Sequence, residues 1–149
     1  MPVTFKRDLD IDAPAEQVWA ILTDPATWPE WFPDMDEVLD LASVETGNSF
    51  RWREGDNVGR GTISSVDVDA NRLKVLTQGD SSPVTHTFDV NRAGGVLGFG
   101  GRTASLTYTM EYDPPGGAIT DFLVGGNPMD QFKVKRTLDK VSALARMLG

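Results

Sequence analysis

Two side chains in this sequence have the chemistry to act on a bound molecule near neutral pH. His86 is the only histidine, and it alternates with Val84 and Phe88 on one face of a predicted strand, while Thr85 lies on the other. An imidazole on an apolar face can orient a carbonyl group or move a proton. Tyr108 occupies the inward face of a neighbouring predicted strand and could share that role. The alternative interpretation is a core histidine that bonds to one neighbour.

Two charged residues also fall on inward faces of predicted strands, namely Arg7 and Glu54. A buried charge needs a partner, so each is either a polar group of a pocket or a residue at the rim of a strand end. We expect Glu54 to lie at the rim, and the pattern leaves both options open for Arg7.

Several kinds of chemistry are excluded by composition. The chain has no cysteine and one histidine, and its acids show no calcium-loop spacing, so we expect no metal site. No G-x-S-x-G elbow exists, so a serine hydrolase of that type is not expected. The glycine-rich stretch 94–101 is neither a P-loop nor a dinucleotide fingerprint, and no cofactor is expected. This stretch predicts a long hairpin, or alternatively an apolar flap against a protein partner.

The length of 149 residues predicts a single domain over 1–149. The net charge of −8 argues against nucleic-acid binding. No apolar run reaches the length of a signal peptide or membrane span, so we expect a cytoplasmic protein without integral membrane association. Cations concentrate near the end of the chain, between 133 and 146, where they form either a solvated helix face or a patch for an anion or partner.

Hydrophobic periodicity predicts the order strand, two helices, six strands, long helix. The first strand spans Val3 to Ile11, a helix runs from Pro14 to about Asp24, and a shorter one covers Ala26 to Phe32. The six following strands are predicted at about 37–45, 48–54, 60–68, 72–78, 83–90 and 102–112, joined by short turns that favour an antiparallel meander. The last helix starts near Pro128 and has one apolar stripe, formed by Val134, Leu138, Val141, Ala145 and Leu148.

Two segments resemble a known superfamily. IDAPAEQVWAILTDPATWPEWFPDMDEV, from Ile11 to Val38, and TYTMEY, from Thr107 to Tyr112, are similar to the START/polyketide-cyclase-like (SRPBCC) superfamily. The resemblance implies an α+β helix-grip fold. In that fold a seven-stranded curved antiparallel sheet surrounds a long C-terminal helix, two short helices lie between strands 1 and 2, and a cavity separates sheet and helix.

The predicted cavity would be lined by the inward faces of the strands and the start of the last helix. These residues are Phe50, Trp52, Leu73, Val75, Val84, His86, Phe88, Leu106, Tyr108 and Met110, with Phe122, Met129 and Phe132 opposite. Aromatic and methionine side chains suit a planar or lipid-like ligand. The alternative is plain core packing, which is also the role we expect for Trp28 and Trp31.

Three functions remain open. We favour a non-catalytic binder of a hydrophobic small molecule, either lipid-like or aromatic and polyketide-like. The first alternative is an enzyme of the polyketide cyclase, aromatase or dehydratase type, in which His86 or Tyr108 moves protons. The second is a co-chaperone-like module that binds a protein partner through the outer sheet or the 91–101 segment. Neither the ligand nor the oligomeric state follows from these residues.

Overall fold

The computed structural model describes residues 3–79, 82–92, 103–113 and 128–148, with side chains for all of these except Pro128, Met129 and Leu148. Seven antiparallel strands form one curved sheet in the order β1-β7-β6-β5-β4-β3-β2. Their bounds are Val3–Ile11 (β1), Glu37–Leu39 (β2), Ser49–Glu54 (β3), Asn57–Asp67 (β4), Arg72–Gln78 (β5), Val84–Arg92 (β6) and Ala104–Tyr112 (β7). The predicted seven-stranded helix-grip architecture is therefore confirmed.

Two short helical segments connect β1 to β2. Helix α1 spans Ala15–Leu22 and is followed by a 3₁₀ turn at Pro25–Thr27 and by α2 at Trp28–Trp31. The side chain of Asp24 accepts a hydrogen bond from the backbone of Ala26, at 3.1 Å, and so caps the turn. The predicted break at Pro25 is present, although α1 ends two residues before the predicted Asp24.

The second strand is much shorter than the predicted span of 37–45. It ends at Leu39, because Asp40 adopts a φ of 65°, in the left-handed region that extended strands do not use. The fourth strand begins earlier than predicted, at Asn57, which pairs with Glu54 across a two-residue turn. Gly55 permits that turn with a φ of 59°.

Strand β4 contains a bulge that periodicity alone does not reveal. The register with β5 shifts between Ile63 and Ser65, so Ser64 is the extra residue. Ile63 pairs with Val75 and Val66 pairs with Leu73, which places both β4 residues on the same face despite their spacing of three. The bulge thereby keeps the far end of β4 facing the core.

The long helix α3, Pro128–Leu148, packs on β1 and β7 and against α1 and α2. Its buried stripe contains Val134, Leu138, Val141 and Ala145, as the sequence predicts. The inward position predicted for Phe132 is wrong, because this side chain is 68% exposed. At 100° per residue, position 132 lies about 160° from Val134 around the helix and so on the opposite face.

Candidate functional site

The face of the sheet that packs against the helices, here called the inner face, carries the residues predicted to line a cavity. Eight of them are buried: Phe50, Leu73, Val75, His86, Phe88, Leu106, Tyr108 and Met110. Trp52 and Val84 are only partly buried. Phe122, the side chain of Met129 and the glycine-rich stretch 94–101 lie outside the described residues, and whether any of the predicted set contacts a ligand stays a prediction.

A line of three polar side chains crosses β5, β6 and β7 within this apolar face. Nδ1 of His86 lies 2.6 Å from the hydroxyl oxygen of Tyr108, and Nε2 lies 2.9 Å from Oγ1 of Thr77. The register explains the line, because His86 pairs directly with Val75 and Met110 and so has Thr77 and Tyr108 as diagonal neighbours. A neutral imidazole donates to one hydroxyl and accepts from the other, which satisfies both ring nitrogens.

The protein holds both titratable groups of this line, His86 and Tyr108, uncharged. Burial, with a smaller contribution from the charge of Lys133, lowers the pKa of His86 to about 3. Burial, together with the negative charges of Asp34 and Asp130, raises the pKa of Tyr108 well above its ordinary value. Near neutral pH the three side chains of this line are therefore hydrogen-bonding groups that carry no charge.

Aromatic rings pack around the polar line. The ring of Phe32, just after α2, packs edge-to-face on His86 at a centroid distance of 4.8 Å. Phe88 stacks on Tyr108 at 4.5 Å, and Trp31 packs edge-on against Phe88 at 5.3 Å. The described part of the inner face is thus filled here by protein, and His86 and Tyr108 are 4% and 0% exposed.

A second polar group lies where α3 begins, and we call it the end cluster: Asp34, Glu54, Tyr112, Asp130 and Lys133. Lys133 Nζ lies 2.8 Å from a carboxylate oxygen of Asp34 and 3.6 Å from one of Asp130. The hydroxyl of Tyr112 donates to Asp130 at 2.5 Å. Glu54 lies on the inner face at the end of β3, which agrees with the expected rim position.

The charges of the end cluster shift one another's pKa values. Burial and the neighbouring carboxylates of Asp34 and Asp36 raise the pKa of Glu54, although Lys133 opposes them. For Lys133, burial acts to lower the pKa, but the carboxylates of Asp34, Asp130 and Glu54 outweigh it and the pKa is raised. Lys133 is therefore charged at neutral pH, and Glu54 holds its proton to a higher pH than an ordinary glutamate.

Part of the inner face beside the end cluster is accessible. Trp52, Val84 and Tyr112 face inward and yet remain partly exposed. Farther along the same strands Phe88, Leu106 and Tyr108 are fully buried. Accessible apolar surface is therefore present at the end where α3 starts, and Leu9 and Val66 are partly accessible toward the opposite end.

Sequence reasoning missed two participants in this region. Thr77 shares the inner face with Leu73 and Val75, so its parity could have identified it as a partner for His86. The role of Phe32 as a cover for His86 depends on how α2 packs, which no local pattern reveals. Arg7, left open above, pairs with Tyr108 in the register but its side chain is exposed.

Three further observations concern other kinds of site. Among the residues described, no group of three or more histidine, aspartate and glutamate side chains is arranged to hold a metal ion. An open depression of about 300 Å³ is lined by Val58, Gly59, Arg60, Gln78 and Gly79, and α3 contributes nothing to it. Within the described ranges, no helix has the length and hydropathy needed to cross a membrane.

Solved structures of several other proteins share this helix-grip fold. An aromatase/cyclase, Zhui from Streptomyces sp. R1128, superposes with a TM-score of 0.72 at 16% identity, covering 98% of this chain and 94% of that one. Truncated norcoclaurine synthase from Thalictrum flavum gives 0.71 at 14% identity, covering 97% and 93%. A START superfamily protein from Mycobacterium smegmatis gives 0.67 at 16% identity, covering 98% and 99%. At such identities the likeness shows the shared fold.

The family follows from the sequence itself. Residues 2–145 match the model of the polyketide cyclase/dehydrase and lipid transport family, so this chain belongs to that family. The resemblance inferred from Ile11–Val38 and Thr107–Tyr112 is thereby confirmed. No curated protein sequence matches the chain significantly.

Proposed function

We propose that this protein binds a hydrophobic small molecule between the inner face of the sheet and the start of α3, and that it does so without catalysis. The observation that carries the proposal is the partial exposure of Trp52, Val84 and Tyr112 on the inner face beside the start of α3. Apolar surface left accessible on an inner face gains about 25 cal/mol per Å² when a ligand covers it. The few polar groups nearby would orient that ligand.

The state of His86 and Tyr108 supports binding over catalysis. A general acid or base works best when its pKa lies near the operating pH. Burial moves the pKa of His86 to about 3 and that of Tyr108 well above its ordinary value, away from neutrality in opposite directions. Phe32 packs on His86 and Phe88 stacks on Tyr108, so both groups are buried among aromatic rings.

The comparisons support the same class of ligand. The family description includes lipid transport as well as cyclase and dehydrase activity. One norcoclaurine synthase structure from Thalictrum flavum is a complex with dopamine and hydroxybenzaldehyde, so this fold accommodates small aromatic molecules in at least one protein. The cytoplasmic location and the option of a protein partner stay predictions.

An enzyme of the cyclase or dehydratase type is the second candidate. The observation that favours it is the proximity of Glu54, Asp34 and Lys133, since a carboxyl group with a raised pKa can act as a general acid. These groups lie at the accessible end of the inner face. In such an enzyme, Glu54 rather than His86 would transfer a proton to the substrate.

Native mass spectrometry of the protein purified from its own host tests the proposal. The expected result is a stoichiometric mass increment that denaturing extraction releases as an intact apolar molecule. Recovery of a chemically altered molecule after incubation with the protein would instead support the enzyme. An empty protein whose melting temperature no lipid or aromatic compound raises would contradict both.

A further inference from the structure

Phe50 and Trp52 occupy equivalent local settings on β3. Phe50 lies opposite Gly61 and Trp52 lies opposite Gly59 in the pairing with β4. A Cβ atom at position 61 would come within 2.1 Å of Cζ of Phe50, and one at position 59 within 2.2 Å of Cζ2 of Trp52. Each ring therefore fills the space that a side chain on β4 would otherwise occupy.

The two rings differ in what covers them. Trp28 from α2 packs edge-to-face on Phe50 at a centroid distance of 5.5 Å and an angle of 78°, and Phe50 is 3% exposed. Among the residues that the structure describes, no aromatic ring packs on Trp52, which stays partly exposed. The same arrangement of strand, glycine and ring thus has an aromatic cover at one position and not at the next.

Trp52 is also held in a fixed orientation. Its indole N–H donates to the backbone carbonyl of Arg60 at 3.0 Å, so the polar atom of the ring is satisfied within the sheet. A Cβ atom at Gly79 would lie 3.1 Å from Cη2, which places the far edge of the ring against the residue that follows β5. What remains is an apolar aromatic surface whose position is set by β3, β4 and the residue that follows β5.

The end cluster lies directly beyond this surface. Glu54 follows Trp52 by two residues on the same face of β3, and Asp34 and Lys133 lie close enough to Glu54 to shift its pKa. If an aromatic molecule that carries a hydroxyl group packed on Trp52, that hydroxyl group would lie within reach of these polar side chains.

We infer that Trp52 is the platform on which a planar ring of the ligand packs, as Trp28 packs on Phe50. This inference rests on the proposed function and deepens it, because it narrows the hydrophobic ligand to one that contains an aromatic or otherwise flat ring system. A packed ring pair contributes about 0.5–1.5 kcal/mol beyond area burial, which corresponds to about twofold to tenfold in affinity.

The test compares 2-naphthol with trans-2-decalol, which have the same ring skeleton and hydroxyl group but differ in flatness. Isothermal titration of the wild-type chain is expected to show 2-naphthol binding about threefold to tenfold more tightly. Trp52→Leu should bring that ratio close to one, while Trp52→Phe should retain part of it. Phe50→Leu is the matched control, and it should leave the ratio unchanged because Phe50 is already covered by Trp28.

The outcomes separate the inference from the proposed function. If both alcohols bind equally well and Trp52→Leu weakens neither selectively, the inference fails while the proposed function stands. If neither alcohol binds, the inference fails, and the native mass spectrometry described above decides the proposed function separately. Circular dichroism checks that Trp52→Leu is folded. If Trp52→Leu is not folded, tryptophan fluorescence of Trp52→Phe tests the inference instead. The quenching by 2-naphthol should then be smaller in Trp52→Phe than in the wild type, and equal quenching would overturn the inference.

Discussion

The hydroxyl oxygen of Tyr108 lies 2.6 Å from Nδ1 of His86, inside a face that is otherwise apolar and aromatic. Both groups are buried, so Tyr108 depends on His86 for its hydrogen bond, and His86 depends on Tyr108 and Thr77. A buried polar atom that loses its partner costs more than the bond itself contributed, because nothing replaces the lost hydration. The hydrogen bond between His86 and Tyr108 therefore helps to hold β6 and β7 in register on the inner face.

Tyr108→Phe removes the hydroxyl and leaves one ring nitrogen of His86 without its partner. We expect the free energy of unfolding to fall by about 1–3 kcal/mol in urea denaturation. Thr109→Val, on the outer face of the same strand, is the control and should change stability by less than about 0.5 kcal/mol. Equal effects of the two substitutions would show that the Tyr108 bond does not stabilise the fold.

The only histidine gives a pH dependence with a definite sign. Its pKa is about 3 in the folded chain against 6.5 as the ordinary value, so the unfolded chain takes up the proton first as pH falls. The contribution of neutral His86 to stability is therefore complete above pH 6.5 and is lost between pH 6.5 and 3, by at most about 1.4 kcal/mol per pH unit.

Proton NMR of the single imidazole measures this directly. The ring signals should stay in the neutral form down to at least pH 5 in the folded protein. His86→Gln should show a shallower loss of stability between pH 6.5 and 5 than the wild type. A titration midpoint near 6.5 in the folded chain would contradict the buried, uncharged state.

Gly61→Ala tests the packing of Phe50 on β4. The added methyl group would come within 2.1 Å of Cζ of Phe50, whose ring is confined by Trp28 and cannot move away freely. We expect a loss of about 1–3 kcal/mol in thermal or urea unfolding. Ser64→Ala, at the exposed bulge of the same strand, should change stability by no more than about 0.5 kcal/mol. A neutral Gly61→Ala would mean that Phe50 does not occupy this space.

Lys133→Met tests the electrostatics of the end cluster. Lys133 is the group that lowers the pKa of Glu54 against its carboxylate neighbours, so its removal should raise that pKa further. Carbon NMR of the Glu54 carboxyl group across the acidic range measures the shift. Lys135→Met is the matched control, since Lys135 is exposed on the same helix. A Glu54 midpoint that stays constant or falls in Lys133→Met would refute this arrangement.

Periodicity predicted the parts of the fold that depend on local pattern. The alternation from Val3 to Ile11, the break at Pro25 and the 4-3-4 spacing of Val134, Leu138, Val141 and Ala145 all correspond to elements of the structure. The meander from β2 to β7 also followed from the turns between neighbouring strands. The pairing of β1 with β7 joins segments about 100 residues apart and has no local signature. The inward orientation of His86 and Tyr108 depended on strand parity alone and agrees with the structure.

What the sequence could not supply depends on packing between distant segments. The left-handed conformation of Asp40, which ends β2, and the bulge at Ser64 have no periodic signature. Phe32 covers His86 only because α2 folds back over the sheet. The sequence places Phe132 inward near the start of the last helix, whereas its position around α3, opposite Val134, leaves it exposed.

The most direct test of the proposed ligand site is titration with N-phenyl-1-naphthylamine, a hydrophobic probe whose fluorescence rises in apolar surroundings. Val84 is partly exposed on the inner face, and Thr85 is its neighbour on the outer face. We expect one probe per chain to bind the wild type and Thr85→Arg equally, and Val84→Arg to bind at least about tenfold more weakly while its melting temperature stays close to that of Thr85→Arg. Absence of saturable binding to the wild type, or equal binding to Val84→Arg, would contradict a ligand site between the inner face and α3.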